Sequence, residues 1–127
     1  MENVHKTTKT ASLYERLGGE AKIRKIADDI LDKNYNNPHI GHHFQKVDMK
    51  KLKQLVFEFL SMGTGGPHQY TGRDMRTAHT GLNISEDDFQ QGNADILLAL
   101  EENGVGEAER NEIIGILDSM KQDIIRV

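Results

Sequence analysis

"GGPHQYTGRDMRTAHTGL", residues 65–82, is the stretch on which the fold turns. Glycines at 65, 66, 72 and 81 punctuate it, and the last two bracket room for one short helix. In that helix Met75 and His79 stand four apart and share a face, while Arg73, Arg76 and Thr77 lie elsewhere. Spacing alone leaves His79 open: it suits a satisfied core or surface histidine as well as a metal ligand. The double glycine is not a phosphate loop, because it precedes Pro67 in place of Lys-Ser or Lys-Thr and follows a helix.

Outward from this stretch the chain reads as helix after helix. "SLYE" at 12–15 is a capping box that starts a short helix, and Gly18-Gly19 stop it. A second helix is predicted from about Glu20 to Tyr35, with Ile23, Ile26, Ala27, Ile30 and Leu31 on one face. Pro38 ends it. After a connector, "HIGHHF", Asp48 caps a third helix whose apolar stripe is Leu52, Leu55, Val56, Phe59 and Leu60. Ser85 caps the next, with acids in its first turn and Phe89, Ile96, Leu97 and Leu100 as its buried face. A last helix is predicted from near Glu107 to Ile125, and no strand shows convincing alternation. The fold class is all-α in one domain, residues 12–127, behind a polar tail at 1–11.

Bulk properties narrow the function classes. The chain has 127 residues, a net charge of −4, 36% hydrophobic residues and no cysteine. No concentrated basic face points to nucleic acid. No disulfide, thiolate metal site or cysteine nucleophile is available. No stretch reaches the ~20 apolar residues of a membrane helix, and the opening lacks a secretory pattern, so a cytoplasmic protein is expected. His39, His42 and His43 cluster in "HIGHH" without a third type of ligand beside them in sequence, which reads better as a connector than as zinc.

Over residues 12–125 the chain resembles the group I truncated haemoglobins. "SLYERLGGEAKIRKIADD", Phe44 followed by "VDM", Gly65-Gly66, "YTGRDMRTAHTGL" and Phe89 stand in that family's order. The resemblance implies a globin-like, two-over-two helical sandwich around haem b. It implies His79 as the proximal iron ligand, whose other ring nitrogen needs an acceptor to fix the tautomer. Phe44 matches the aromatic that packs on the porphyrin. Met75, Leu82, Ile84 and Phe89 match residues lining the haem, and Arg73 or Tyr70 reaches a propionate.

The chain departs from the family on the distal side. The usual tyrosine after "DDF" is absent: "DDIL" puts Ile30 and Leu31 there. Leu52 and Val56 stand where glutamines are common, Leu55 where some relatives carry a histidine, and Leu60 where some carry a phenylalanine. A donor to a polarised gas ligand is worth about 1.5–3 kcal/mol. An all-hydrocarbon pocket therefore implies fast oxygen release and less discrimination against carbon monoxide. The expected function is reversible binding of O2, CO and NO by a monomer whose haem iron is five-coordinate, served by an electron-donating reductase. Nitric oxide dioxygenation is the alternative. Gly92, mid-helix, and Gly63-Thr64 are expected to loosen access to the site.

Overall fold

The computed structural model describes residues 11–127 and is all-helical over them. The tail expected at residues 1–11 lies outside the described residues except for Ala11. The main helices are α1 (Leu13–Leu17), α2 (Glu20–Asn36), α3 (Met49–Gly63), α4 (Met75–His79), α5 (Glu86–Glu102) and α6 (Glu107–Ser119). Short 3-10 turns follow at Gly41–Phe44 and Lys121–Asp123.

The ends form where local chemistry dictates. Ser12 and Glu15 exchange hydrogen bonds as a full capping box, and Gly18 closes α1 at φ 114°, a conformation L side chains avoid. Asp48 accepts from the Lys51 amide, and Ser85 with Asp88 forms a second capping box. The helices pack as two pairs. α2 lies against α3 and also against α5, α5 against α6, and α1 bridges α2 and α6. One exposed clasp ties the first helix to the last: Arg16 reaches Glu109 at 3.1 Å and Glu112 at 2.5 Å.

The core is Leu13, Tyr14, Leu17, Ile23, Ile26, Ala27, Ile30, Phe57, Ala99, Leu100, Val105 and Ile113. Within α3 it differs from the sequence expectation. The only buried residues there are Phe57 and Ser61, whereas Leu52, Leu55, Val56, Phe59 and Leu60 are half-buried. Phe57, Ser61 and Thr64 follow an i, i+4, i+7 spacing, so a second face of α3 meets the core. Two of those three are polar, which hides the face from a hydrophobic pattern. Their polarity is satisfied internally: the Thr64 hydroxyl donates to the Leu60 carbonyl at 2.6 Å, and Ser61 Oγ lies 2.9 Å from His68 Nδ1. Phe57 is fully covered, with the Arg24 guanidinium 3.9 Å above its ring and His68 edge-on at 4.7 Å.

His68 is thus a packing residue. It can approach because Gly66 lies against Ser61 and the Tyr14 ring, where any Cβ would collide. The Tyr14 amide donates to the Thr64 carbonyl at 2.8 Å, which docks α1 on the end of α3.

The other correction concerns the C-terminus. α6 stops at Ser119 rather than running to Ile125. The Ser119 hydroxyl turns back to the Ile116 carbonyl at 2.5 Å, and the chain then leaves the helix axis to pack near residues 76–84. Asp118 and Ser119 are weak helix formers, and tertiary bonds win over the apolar period of Met120 and Ile124.

The two faces of α3 predict unequal losses in urea unfolding. Phe57→Ala should cost about 3–5 kcal/mol. Leu52→Ala, already half in solvent, should cost about 1 kcal/mol. Equal losses would contradict the assignment of faces.

Candidate functional site

α4 carries a histidine whose ring is fixed by a main-chain acceptor. Its five residues start on Asp74, whose carboxylate accepts the Thr77 amide at 3.2 Å. Its last residue, His79, places Nδ1 2.7 Å from the Met75 carbonyl oxygen one turn back. A carbonyl can only accept, so Nδ1 carries the proton. The lone pair of the neutral ring is then on Nε2, and the side chain is half-buried. That is the state in which imidazole binds a metal.

The helix itself is loosely held. α4 packs on the Lys121–Asp123 turn and on no other described element to a comparable extent. Met75 and Ile84 are half-buried, and Leu82 is 40% exposed. Also on α3, Leu52, Leu55 and Phe59 are half-buried and stand outside the core cluster. Phe44, at the end of the Gly41–Phe44 turn, is half-buried too, and Leu98 of α5 is 49% exposed. Leu31, Ile40 and Phe89 are buried yet stand outside the main core cluster.

A flat apolar macrocycle with one axial position fits this set. Hydrocarbons and one aromatic leave much of their surface uncovered, and a single imidazole offers a lone pair. No group of three or more His, Asp or Glu residues is arranged to hold a bare metal ion among the described residues. An iron held mainly by a porphyrin needs only one protein ligand.

The predicted distal residues divide between two environments. Ile30 is part of the main core, and Val56 and Leu60 pack against it. Leu31 is buried outside that cluster, and Leu52 and Leu55 are half-buried without joining it. None of the six has a side-chain donor. Gly92 faces Ile40, whose Cδ1 would lie 4.0 Å from an added Cβ. A side chain would fit there, so glycine leaves space beside Ile40.

The expected propionate partners differ as well. The Tyr70 hydroxyl donates to the Arg73 carbonyl at 2.5 Å, and its ring packs edge-on against Phe59 at 5.5 Å. Burial pushes the phenol up, so it stays neutral. Its donor is thus spent locally. The exposed Arg73 makes no ion pair among the described residues and is the better match for an anionic group.

The histidine-rich turn serves another purpose. His39 Nε2 lies 2.8 Å from Asp87 and 3.4 Å from Asp88, and His43 Nε2 is 3.7 Å from Asp88. Asp88 sits below the usual carboxylate range, first because the Ser85 amide donates to it. These contacts bind the turn carrying Phe44 to the start of α5. Sequence spacing could not reveal them, because the acids lie more than forty positions away. A buried polar bridge repeats the link, with Asn34 and Asn37 donating to Asp95 at 2.9 and 3.0 Å.

Comparison with known proteins agrees with this geometry. The family described as bacterial-like globin matches residues 12–126. The chain belongs to the bacterial-like globins. Among the group 1 truncated haemoglobins, the protein from Synechocystis is 31% identical over 121 residues, covering 91% of this chain and 98% of that one. The solved ferric truncated haemoglobin of Tetrahymena pyriformis superposes with a TM-score of 0.88 at 28% identity, over 92% of this globin and 100% of the other. A Synechococcus 2/2 haemoglobin, solved in the cyanomet state with covalently attached haem, gives a TM-score of 0.84 at 28% identity, over 91% and 98% of the two chains. The two-over-two reading of this globin's helices is thereby established.

The cap of α4 makes a pH prediction. The Thr77 side chain and then its backbone hold the Asp74 carboxyl below the usual range. A depressed folded pKa contributes stability above the unfolded value, about 3.9, that is lost as pH falls through the folded value. Asn is also a good cap but does not titrate. Asp74→Asn should therefore be less stable than the parent at pH 7 and equal to it near pH 2, read by thermal unfolding. A gap unchanged at pH 2 would contradict the role of the charge.

Proposed function

We propose that this globin binds haem b through His79 and takes up oxygen, carbon monoxide and nitric oxide reversibly. The observation that carries the reading is the His79 Nδ1 bond to the Met75 carbonyl, which leaves Nε2 as the donor. Haem supplies the iron and its open coordination position. The protein supplies everything that tunes it.

On the proximal side, His79 gives one neutral nitrogen in a fixed tautomer, while Met75, Leu82, Ile84, Phe89 and Phe44 give apolar contact to the macrocycle. Arg73 offers a guanidinium to an acidic edge. On the distal side, Leu31, Leu52, Leu55 and Val56 exclude water and donate no hydrogen bond. With leucine and not histidine at position 55, His79 would be the one protein ligand to the iron that haem would supply. Leu31, Leu52, Leu55 and Val56 carry no acid or base for proton transfer at the iron. This favours binding over turnover. In the same reading the globin works as a cytoplasmic monomer, and an electron-donating reductase returns the iron to the ferrous state.

Stopped-flow oxygen release tests the reading. A phenol introduced by Leu31→Tyr adds one donor worth about 1.5–3 kcal/mol. Oxygen release should slow roughly 10- to 150-fold at ~1.4 kcal/mol per decade, while carbon monoxide release changes much less. An unchanged oxygen rate would mean that a donor already serves the pocket and would overturn the hydrocarbon account.

A further inference from the structure

The turn that holds His79 is gripped by the last residues of the chain. The Arg126 amide donates to the Ile84 carbonyl at 2.9 Å, and the Gly81 amide donates to the Val127 carbonyl at 3.1 Å. Arg126 Nη1 reaches Asn83 Oδ1 at 3.1 Å. Arg76, inside α4, points Nη2 at the Gln122 carbonyl and at Asp123, both at 3.4 Å. The Lys121–Asp123 turn is also the element on which α4 packs. These bonds hold both ends of the segment 76–84, with His79 between them.

Backbone strain marks the same place. Asn83 at φ 52° and Arg126 at φ 50° are the two non-glycine residues with positive φ among the described residues. Asparagine tolerates this region, but arginine seldom does. Each is also the side-chain partner of the other. A left-handed arginine persists only where its surroundings over-determine it, and such positions gather at functional elements.

We infer that residues 121–127 form a strap that positions His79 for the iron, with Arg126 as a positioning residue that acts through its backbone amide. The inference rests on the proposed proximal role of His79. The Met75 carbonyl sets the ring's tautomer, and the Lys121–Asp123 turn is an element on which α4 packs. The strap sets the helix's place by tying 76–84 to the end of α6. Its amide bonds are backbone bonds, which explains why no side-chain pattern announces it.

Two substitutions at one position separate the possibilities. Arg126→Pro removes the donor amide and fixes φ near −65°, so the strap must release. Arg126→Gly keeps the amide and accepts φ 50° without strain. Two readouts are taken. Resonance Raman of the ferrous haem-loaded globin follows the iron–histidine stretching band. Amide hydrogen exchange follows residues 75–84, with and without haem.

Arg126→Pro should shift or broaden the band and speed exchange at 75–84 by at least about tenfold, with α2 and α5 unchanged. Arg126→Gly should stay close to the parent in both. A proline variant identical to the parent in band and exchange would overturn the strap. So would exchange that rises equally across all helices, since that describes general destabilisation. If the parent itself takes up no haem or lacks the band, the proximal reading of His79 fails. Exchange without haem then still decides whether the strap holds α4, through a rise confined to 75–84 or its absence.

Discussion

The proposed function depends on one hydrogen bond: His79 Nδ1 to the carbonyl of Met75, 2.7 Å away. Without an acceptor at that nitrogen, the imidazole would exchange tautomers and rotate, and Nε2 would not be a reliable donor. The acceptor comes from the same short helix, one turn earlier. Five helical residues are about the minimum that can supply it, and Asp74 at one end and Gly81 at the other confine the helix to that length. The rest of the fold brings an apolar surface near this nitrogen and holds the helix in place.

Much of the scaffold could be read directly from the chain. The caps Ser12, Asp48 and Ser85 all form, and the breaks at Gly18-Gly19 and Gly65-Gly66 fall where glycine is required by φ or by contact. Legibility failed where stability comes from partners distant in sequence. The core face of α3 is Phe57 flanked by Ser61 and Thr64, and two hydroxyls look like solvent residues until His68 and the Leu60 carbonyl are known to satisfy them. The sequence pattern runs α6 six residues too far because Met120 and Ile124 keep a helical period, whereas the bonds of Arg126 and Val127 to the 81–84 segment pull the chain away. Of the site, spacing showed only that Met75 and His79 share a face. The family resemblance singled out His79, and the geometry then supplied the tautomer.

The distal side shows how a shared scaffold leaves chemistry to a few side chains. Ile30 belongs to the core, and Leu31, buried outside it, is the position proposed to meet a ligand. Together with Leu52, Leu55 and Val56 it offers only C–H surface. Such a surface keeps water out and treats polar and apolar gases more alike than a donor would. Polar groups join elements in the Asp88 contact with His39 and in the Asp95 bridge with Asn34 and Asn37. The molecule thus separates its polar networks, which join elements, from the strip proposed to meet the ligand.

The most direct test is the absorption spectrum of the unliganded ferrous globin, taken for the parent and for His79→Gly. The account predicts a five-coordinate, high-spin spectrum for the parent. The variant should lose it, and added imidazole should restore it. A low-spin, six-coordinate spectrum in the parent, or one that His79→Gly leaves unchanged, would contradict the account.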